Sequence, residues 1–153
     1  LSESPIQDHM LGQIRRISNA HRPGLDYSKE VLLTKEFSFG DTLIATARDR
    51  VLGFSIVHTA QKRENMPGAA IRALVVDVGA KPEVLTSLLA TSELMAADSG
   101  VKEVSVAVPA VCRRGIDSAF SRGYQVVQSF ERFMWLGSSG VNEKLFNLCT
   151  WSG

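Results

Sequence analysis

The sequence predicts an α/β (α+β) domain built on a mixed, mostly antiparallel sheet with a central parallel pair and flanking helices. Three observations carry this expectation. Apolar residues recur at helical spacing at the start of the chain, strand texture takes over from residue 42, and a long apolar helix lies between two β-type runs at 71–78 and 102–108. With 153 residues, the chain reads as one domain large enough to bury a core without disulfide staples. Its expected parts are N-terminal helices at 1–41, a core of sheet and helices at 42–136, and a tail at 137–153.

The first helix opens on Ser4-Pro5-Ile6-Gln7, which offers an N-cap, a proline at the first helical position and a glutamine three residues after the cap. Ile6, Met10, Ile14 and Ile17 follow at helical intervals, and His21-Arg22-Pro23-Gly24 breaks the run. Asp26 is positioned to cap a second helix containing Tyr27, Val31 and Leu32. Residues 42–47 and 51–59 flank the polar Arg48-Asp49-Arg50 and read as an antiparallel hairpin. The polar stretch at 61–68 reads as a loop, and 71–78 as a strand with Leu74, Val76 and Val78 on one face. Pro82 then starts a helix through Val84, Leu85, Leu88, Leu89, Met95 and Ala96, closed by Ser99-Gly100. Val104, Val106 and Val108 alternate along the next strand, which a right-handed crossover makes parallel to 71–78. A short helix with Ile116, Ala119 and Phe120 ends at Gly123, residues 124–128 and 130–136 read as a closing strand pair, and 141–153 as a short helix.

Composition narrows the functional classes. Hydrophobic residues make up 44% and charged residues 22%, as in an ordinary folded chain rather than a disordered one. Seventeen Lys and Arg against sixteen Asp and Glu leave a formal charge of +1, too little to point to nucleic acid or an anionic membrane as the main partner. The most apolar run, 104–112, is about half the length of a bilayer crossing and is interrupted by Ser105 and Pro109. The opening Leu-Ser-Glu-Ser-Pro lacks a signal-peptide layout, and a start without Met reads as an excised or processed piece. Cys112 and Cys149 form no disulfide or zinc pattern, and His9 and His21 have no metal-ligand spacing. The expectation is a cytoplasmic protein without a metal.

Several segments together resemble the GCN5-related N-acetyltransferase (GNAT) superfamily. Val51-Leu52-Gly53-Phe54-Ser55-Ile56-Val57 resembles its third strand, and Leu74-Val75-Val76-Asp77-Val78 with the helix behind it resembles the fourth strand and acyl-CoA helix. Gly100-Val101-Lys102-Glu103-Val104-Ser105-Val106 is similar to the turn and fifth strand, and Phe120-Ser121-Arg122-Gly123-Tyr124-Gln125-Val126-Val127 to the helix end and the strand after it. The likeness runs from about residue 42 to 136 and lies in layout and spacing more than in an exact signature. It implies transfer of an acetyl group from acetyl-CoA to an amine. It also implies that pantetheine pairs with the open backbone at Val76 and Val78, and that the diphosphate sits on the turn formed by Lys81, Val84, Leu85, Thr86 and Ser87, where a helix N-terminus favours an anion.

The chain departs from that family's phosphate turn. Lys81-Pro82-Glu83-Val84-Leu85-Thr86 stands where the family places glycines, so branched side chains fill space a diphosphate needs, Pro82 removes a donor and Glu83 adds negative charge. The family's thiolate acid falls on Ala119, its usual asparagine on Cys112, and the segment 71–76 carries no carboxylate base. No catalytic residue is assigned. Aminolysis of a thioester can proceed largely by positioning, so these absences count against catalysis without excluding it.

Individual residues keep two readings. Cys112 is either an acylated or redox-active thiol or, the favoured reading, a small buried hydrophobe; His58 is either a base facing an acceptor or a hydrogen-bonded structural histidine. Arg113 and Arg114 either hold the adenosine-side phosphate or form a solvated charge pair, and Asp77 reads as structural at the strand end. Function divides the same way. The first reading is an acetyltransferase with a degenerate turn acting on a small-molecule amine or peptide; the alternatives are a non-catalytic domain beside a sister GNAT domain or in a homodimer, and a sensor of another acidic small molecule.

Overall fold

Met10, Ile14, Ile17 and His21 share one stripe of α1 (Pro5–His21), and Leu11, Ile14 and Ile17 are buried against the sheet. The computed structural model describes residues 5–59, 68–129 and 147–149. Burying each isoleucine contributes about 1.5–3 kcal/mol, which holds the helix in place better than propensity alone. The chain turns through Gly24 at φ 83° into α2 (Ser28–Glu36). Asp26 lies one residue too early to be the cap. Tyr27 occupies that position, while the Asp26 carboxylate accepts the Ser28 N–H at 2.8 Å and Arg15 Nε at 3.0 Å.

Strand texture begins two residues before the expected boundary. β1 (Gly40–Ala47) and β2 (Arg50–His58) form the hairpin, with Ala47 opposite Arg50 and Arg48 at φ 53°. β2 pairs antiparallel with β3 (Ala69–Val76), and β3 pairs parallel with β4 (Val104–Val106) through the crossover helix α3 (Glu83–Asp98). A short α4 (Arg113–Ser121) follows, and β5 (Asn147–Cys149) returns to β3. The sheet order is β1-β2-β3-β4, with β5 also on β3. This is the predicted α+β architecture with a mixed sheet, and β3–β4 is its parallel pair.

Two cores flank the sheet. Ile14, Ile17 and Tyr27 pack with Val51, Phe54, Ile56, Ala73 and Val75 on the α1/α2 face. On the other face Leu85, Leu88, Leu89 and Ala96 of α3 pack with Val57, Ile71, Leu74 and Val76. β3 is therefore buried on both faces, which is why it reads as a continuous apolar run rather than an alternating one.

Four expectations need correction. β3 ends at Val76, so Val78 does not share the face of Leu74 and Val76 and is instead exposed in the turn that follows. β4 is only three residues long. Residues 124–129 form no strand, because β-type residues do not by themselves supply a ladder and no described strand pairs with them; Val126 and Val127 are exposed. The tail at 147–149 is a strand rather than part of a helix, since the edge of β3 offers it unpaired backbone groups. The loop at 61–67 and the strand at 130–136 lie outside the described residues.

Candidate functional site

β3 and β4 run side by side for three pairs only, Ala69 with Val104, Ala70 with Ser105 and Ile71 with Val106. Beyond Ile71 the strands part. A bulge marks the point: Ile56 of β2 opposes Ala73 and Val57 opposes Ile71, which leaves Arg72 as the extra residue. A bulge bends its strand and increases the local twist, so the C-terminal half of β3 turns away from β4. The result is a forked parallel pair; the arm of β3 beyond the fork pairs with β5 and leads to the turn before α3.

Backbone directions follow from one hydrogen bond. Asp77 N–H donates to Leu52 C=O at 2.7 Å, so alternation turns the polar groups of Val75 and Ala73 toward β2 and those of Val76 and Leu74 toward the fork. The carbonyl of Val76 confirms the direction by accepting from His21 Nε2 at 2.7 Å rather than from β2. Because a carbonyl only accepts, Nε2 carries the proton. In the neutral ring Nδ1 is then a buried acceptor, and it has no hydrogen-bond partner among the described residues. Burial lowers the His21 pKa, while the Val76 bond and the nearby Asp77 carboxylate act in the opposite direction.

Asp77 is buried at the strand end and takes Arg16 Nη1 and Nη2 at 3.4 and 3.3 Å and Arg50 Nη2 at 2.5 Å. Burial alone raises its pKa, but the hydrogen bonds from Arg50 and Arg16 outweigh this and hold the carboxyl below its ordinary value. Arg50 also borders the turn, with Nη2 3.6 Å from the position a Cβ on Gly79 would take. Both arginines are about half exposed. Arg16, Arg50 and Lys81 therefore outnumber Asp77 and Glu83 at this end of the sheet, which partly offsets the acidic residue in the turn. Sequence reading placed His21 in the helix breaker and Arg50 in the hairpin turn without a role at this site, and it did not single out Arg16. The signal for His21 was the i, i+3, i+7 stripe of Ile14, Ile17 and His21; nothing in the sequence pointed the two arginines at Asp77.

The expected site residues occupy different places. Val76 is at the fork, Val78 is exposed in the turn, and Lys81, Thr86 and Ser87 are exposed at the start of α3. Val84 is half-buried, and the Leu85 side chain is in the core. Pro82 is the cap residue, at φ −56°, and lacks an N–H. The Val84 N–H donates to Lys81 C=O and the Leu85 N–H to Pro82 C=O, both at 3.1 Å. An anion on this turn has to share amides already used to close it. The edge of β3 beyond Ile71 pairs with an extended segment, β5, and the turn before α3 holds its own amides in local hydrogen bonds.

The remaining candidates are remote or structural. His58 opposes Ala70 at the opposite end of β3 from α3. Its Nε2 lies 3.0 Å from Thr34 Oγ1, and its ring packs on Phe39 with centroids 5.5 Å apart. Cys112 is buried, and burial raises its thiol pKa, which keeps it protonated and unreactive. Arg113 and Arg114 are exposed on the first turn of α4 rather than in a loop, and Arg113 faces Asp117 at 3.5 Å. Among the described residues no three His, Cys, Asp or Glu side chains group as metal ligands, and no helix is long and apolar enough to cross a membrane.

No protein-family model and no curated protein sequence matches the chain. Solved structures do match. An aminoglycoside acetyltransferase from an uncultured soil metagenomic sample, solved with sisomicin, aligns over 90% of this chain and 93% of its own with TM-score 0.65 and 17% identity. A probable acetyltransferase covers 90% and 96%, with TM-score 0.65 and 16% identity. A variant of TTHA1254 from Thermus thermophilus covers 90% and 98%, with TM-score 0.59 and 19% identity. The fold is GNAT-like, as the resemblance implied.

Proposed function

We propose that the chain is an acyltransferase of the GNAT type that moves an acetyl group from acetyl-CoA to an amine, with a phosphate turn that weakens its hold on the donor. One observation carries this reading: pairing of β3 with β4 stops at Ile71, and the arm of β3 beyond it, covered in part by β5, turns the polar groups of Leu74 and Val76 away from β2 and leads through the turn at 77–82 to the N-terminus of α3. Acetyl-CoA, when bound, supplies the thioester whose carbonyl the amine attacks. The chain's own part is positional. Leu74 and Val76 present main-chain groups along the fork, His21 orients the Val76 carbonyl, and Lys81 with the α3 dipole attracts the phosphates while Val84, Thr86 and Pro82 obstruct them. No side chain is assigned as acid or base.

A ligand selective for the folded state stabilises it by about 2.7 kcal/mol at a hundredfold excess over its dissociation constant. Millimolar acetyl-CoA is therefore expected to raise the melting temperature, and thiol release from it should appear with an amine panel that includes aminoglycosides, in view of the neighbour solved with sisomicin. A folded protein with neither response contradicts the reading. The engaged amides of Val84 and Leu85 and the Pro82 cap favour a second reading, a non-catalytic domain that supports a sister domain or a second copy. Replacing Val84 and Thr86 by glycine separates the two, because stronger acetyl-CoA binding in the double variant identifies steric obstruction and no change favours the non-catalytic domain.

A further inference from the structure

The open arm of the fork is not empty. β5 lies antiparallel on β3 with Ala73 opposite Cys149, Leu74 opposite Leu148 and Val75 opposite Asn147. It begins where β4 stops: β4 reaches Ile71, the bulge takes up Arg72, and β5 covers the edge from Ala73 onward. The polar groups of Leu74 point into the fork, so Leu74 and Leu148 form the hydrogen-bonded pair of this short ladder. Val76, the next residue to face the fork, has its carbonyl engaged by His21. Of the backbone groups that an extended ligand would use, those of Leu74 thus face the chain's own tail and the Val76 carbonyl is engaged by α1.

We propose that β5 is an intramolecular competitor of acyl-CoA, a strand that fills the fork by β-pairing and must leave before the donor's amide-bearing arm can take its place. The proposal rests on the acyl-CoA reading of the same edge. Three residues offer only a few ladder bonds, each of modest net worth, so the strand is weak enough to be displaced and strong enough to lower apparent affinity. Affinity falls by the fraction of molecules in which the fork is open.

Amide hydrogen exchange on the native 153-residue chain tests this directly. Leu148 should be protected in the free protein and lose protection at saturating acetyl-CoA, while Leu74 stays protected throughout because one partner replaces the other. Leu148→Pro, which deletes the tail's donor, should bind acetyl-CoA on the order of tenfold more tightly. Continued protection of Leu148 at saturation, or equal affinity of the variant and the native chain, overturns the competition and leaves the acyl-CoA reading standing. Failure of both proteins to bind acetyl-CoA overturns the two together.

Discussion

His21 and Asp77 are adjacent at the end of β3 and respond to acid in different windows. The His21 ring is held neutral by burial, below its ordinary value of 6.5, so the unfolded chain takes up a proton that the folded chain refuses. Its contribution to stability is complete above 6.5 and is lost as pH falls from there through the folded pKa. Chemical denaturation at a series of pH values falling from 6.5 should show this slope, and His21→Gln, which keeps a donor for Val76, should flatten it. An unchanged slope in the variant assigns the effect to another group. Asp77 acts lower, because its pKa is depressed from 3.8, so its stabilisation is present above that value and disappears as pH falls through the folded pKa. Asp77→Asn gives up charge-assisted bonds to Arg16 and Arg50 and should cost about 1.5–3 kcal/mol at neutral pH, read as a lower denaturation midpoint. A loss under half of that shows the ion pairs to be solvent-screened.

Elements were legible where periodicity and breakers agreed, and illegible where pairing alone decides the outcome. Ile14 and Ile17 placed α1, and Pro82 with the Leu88–Leu89 pair placed α3, because both helices bury a side-chain pattern that the sequence displays. β5 has no such pattern. Its three residues form a strand because β3 has an unpaired edge, which depends on β4 parting from it at the bulge, a distant event that no local pattern encodes. The segment after Gly123 is the converse, since the β-type residues from Tyr124 to Gln128 lack a described partner strand. Gly40, at the start of β1, shows what strand contact demands: a Cβ there would run into the Val57 carbonyl oxygen. Gly40→Ala forces main chain apart and should destabilise the protein by about 1–3 kcal/mol, whereas Gly12→Ala, whose added methyl meets open space, should not lower the melting temperature.

At the scale of the whole molecule, the order of helices and strands was enough to anticipate a mixed sheet with one parallel pair, because a crossover helix joins its two strands, and the family resemblance of several segments carried the step to a GNAT-like fold. The candidate site was only partly legible. The turn residues are visible in the sequence, but the His21 bond to Val76 and the arginines around Asp77 join residues 27 to 61 positions apart, brought together by the sheet and by α1 packing on it. The arm of β3 beyond Ile71, where β5 now pairs, is the proposed acyl-donor seat. Backbone amide shifts of the isotopically labelled native chain, recorded during titration with acetyl-CoA to millimolar concentration, test it most directly. Saturable changes at Leu74, Val76 and the first turn of α3 are the expected result; no changes, or changes confined to the stacked aromatic pair Phe37 and Phe39, would contradict it.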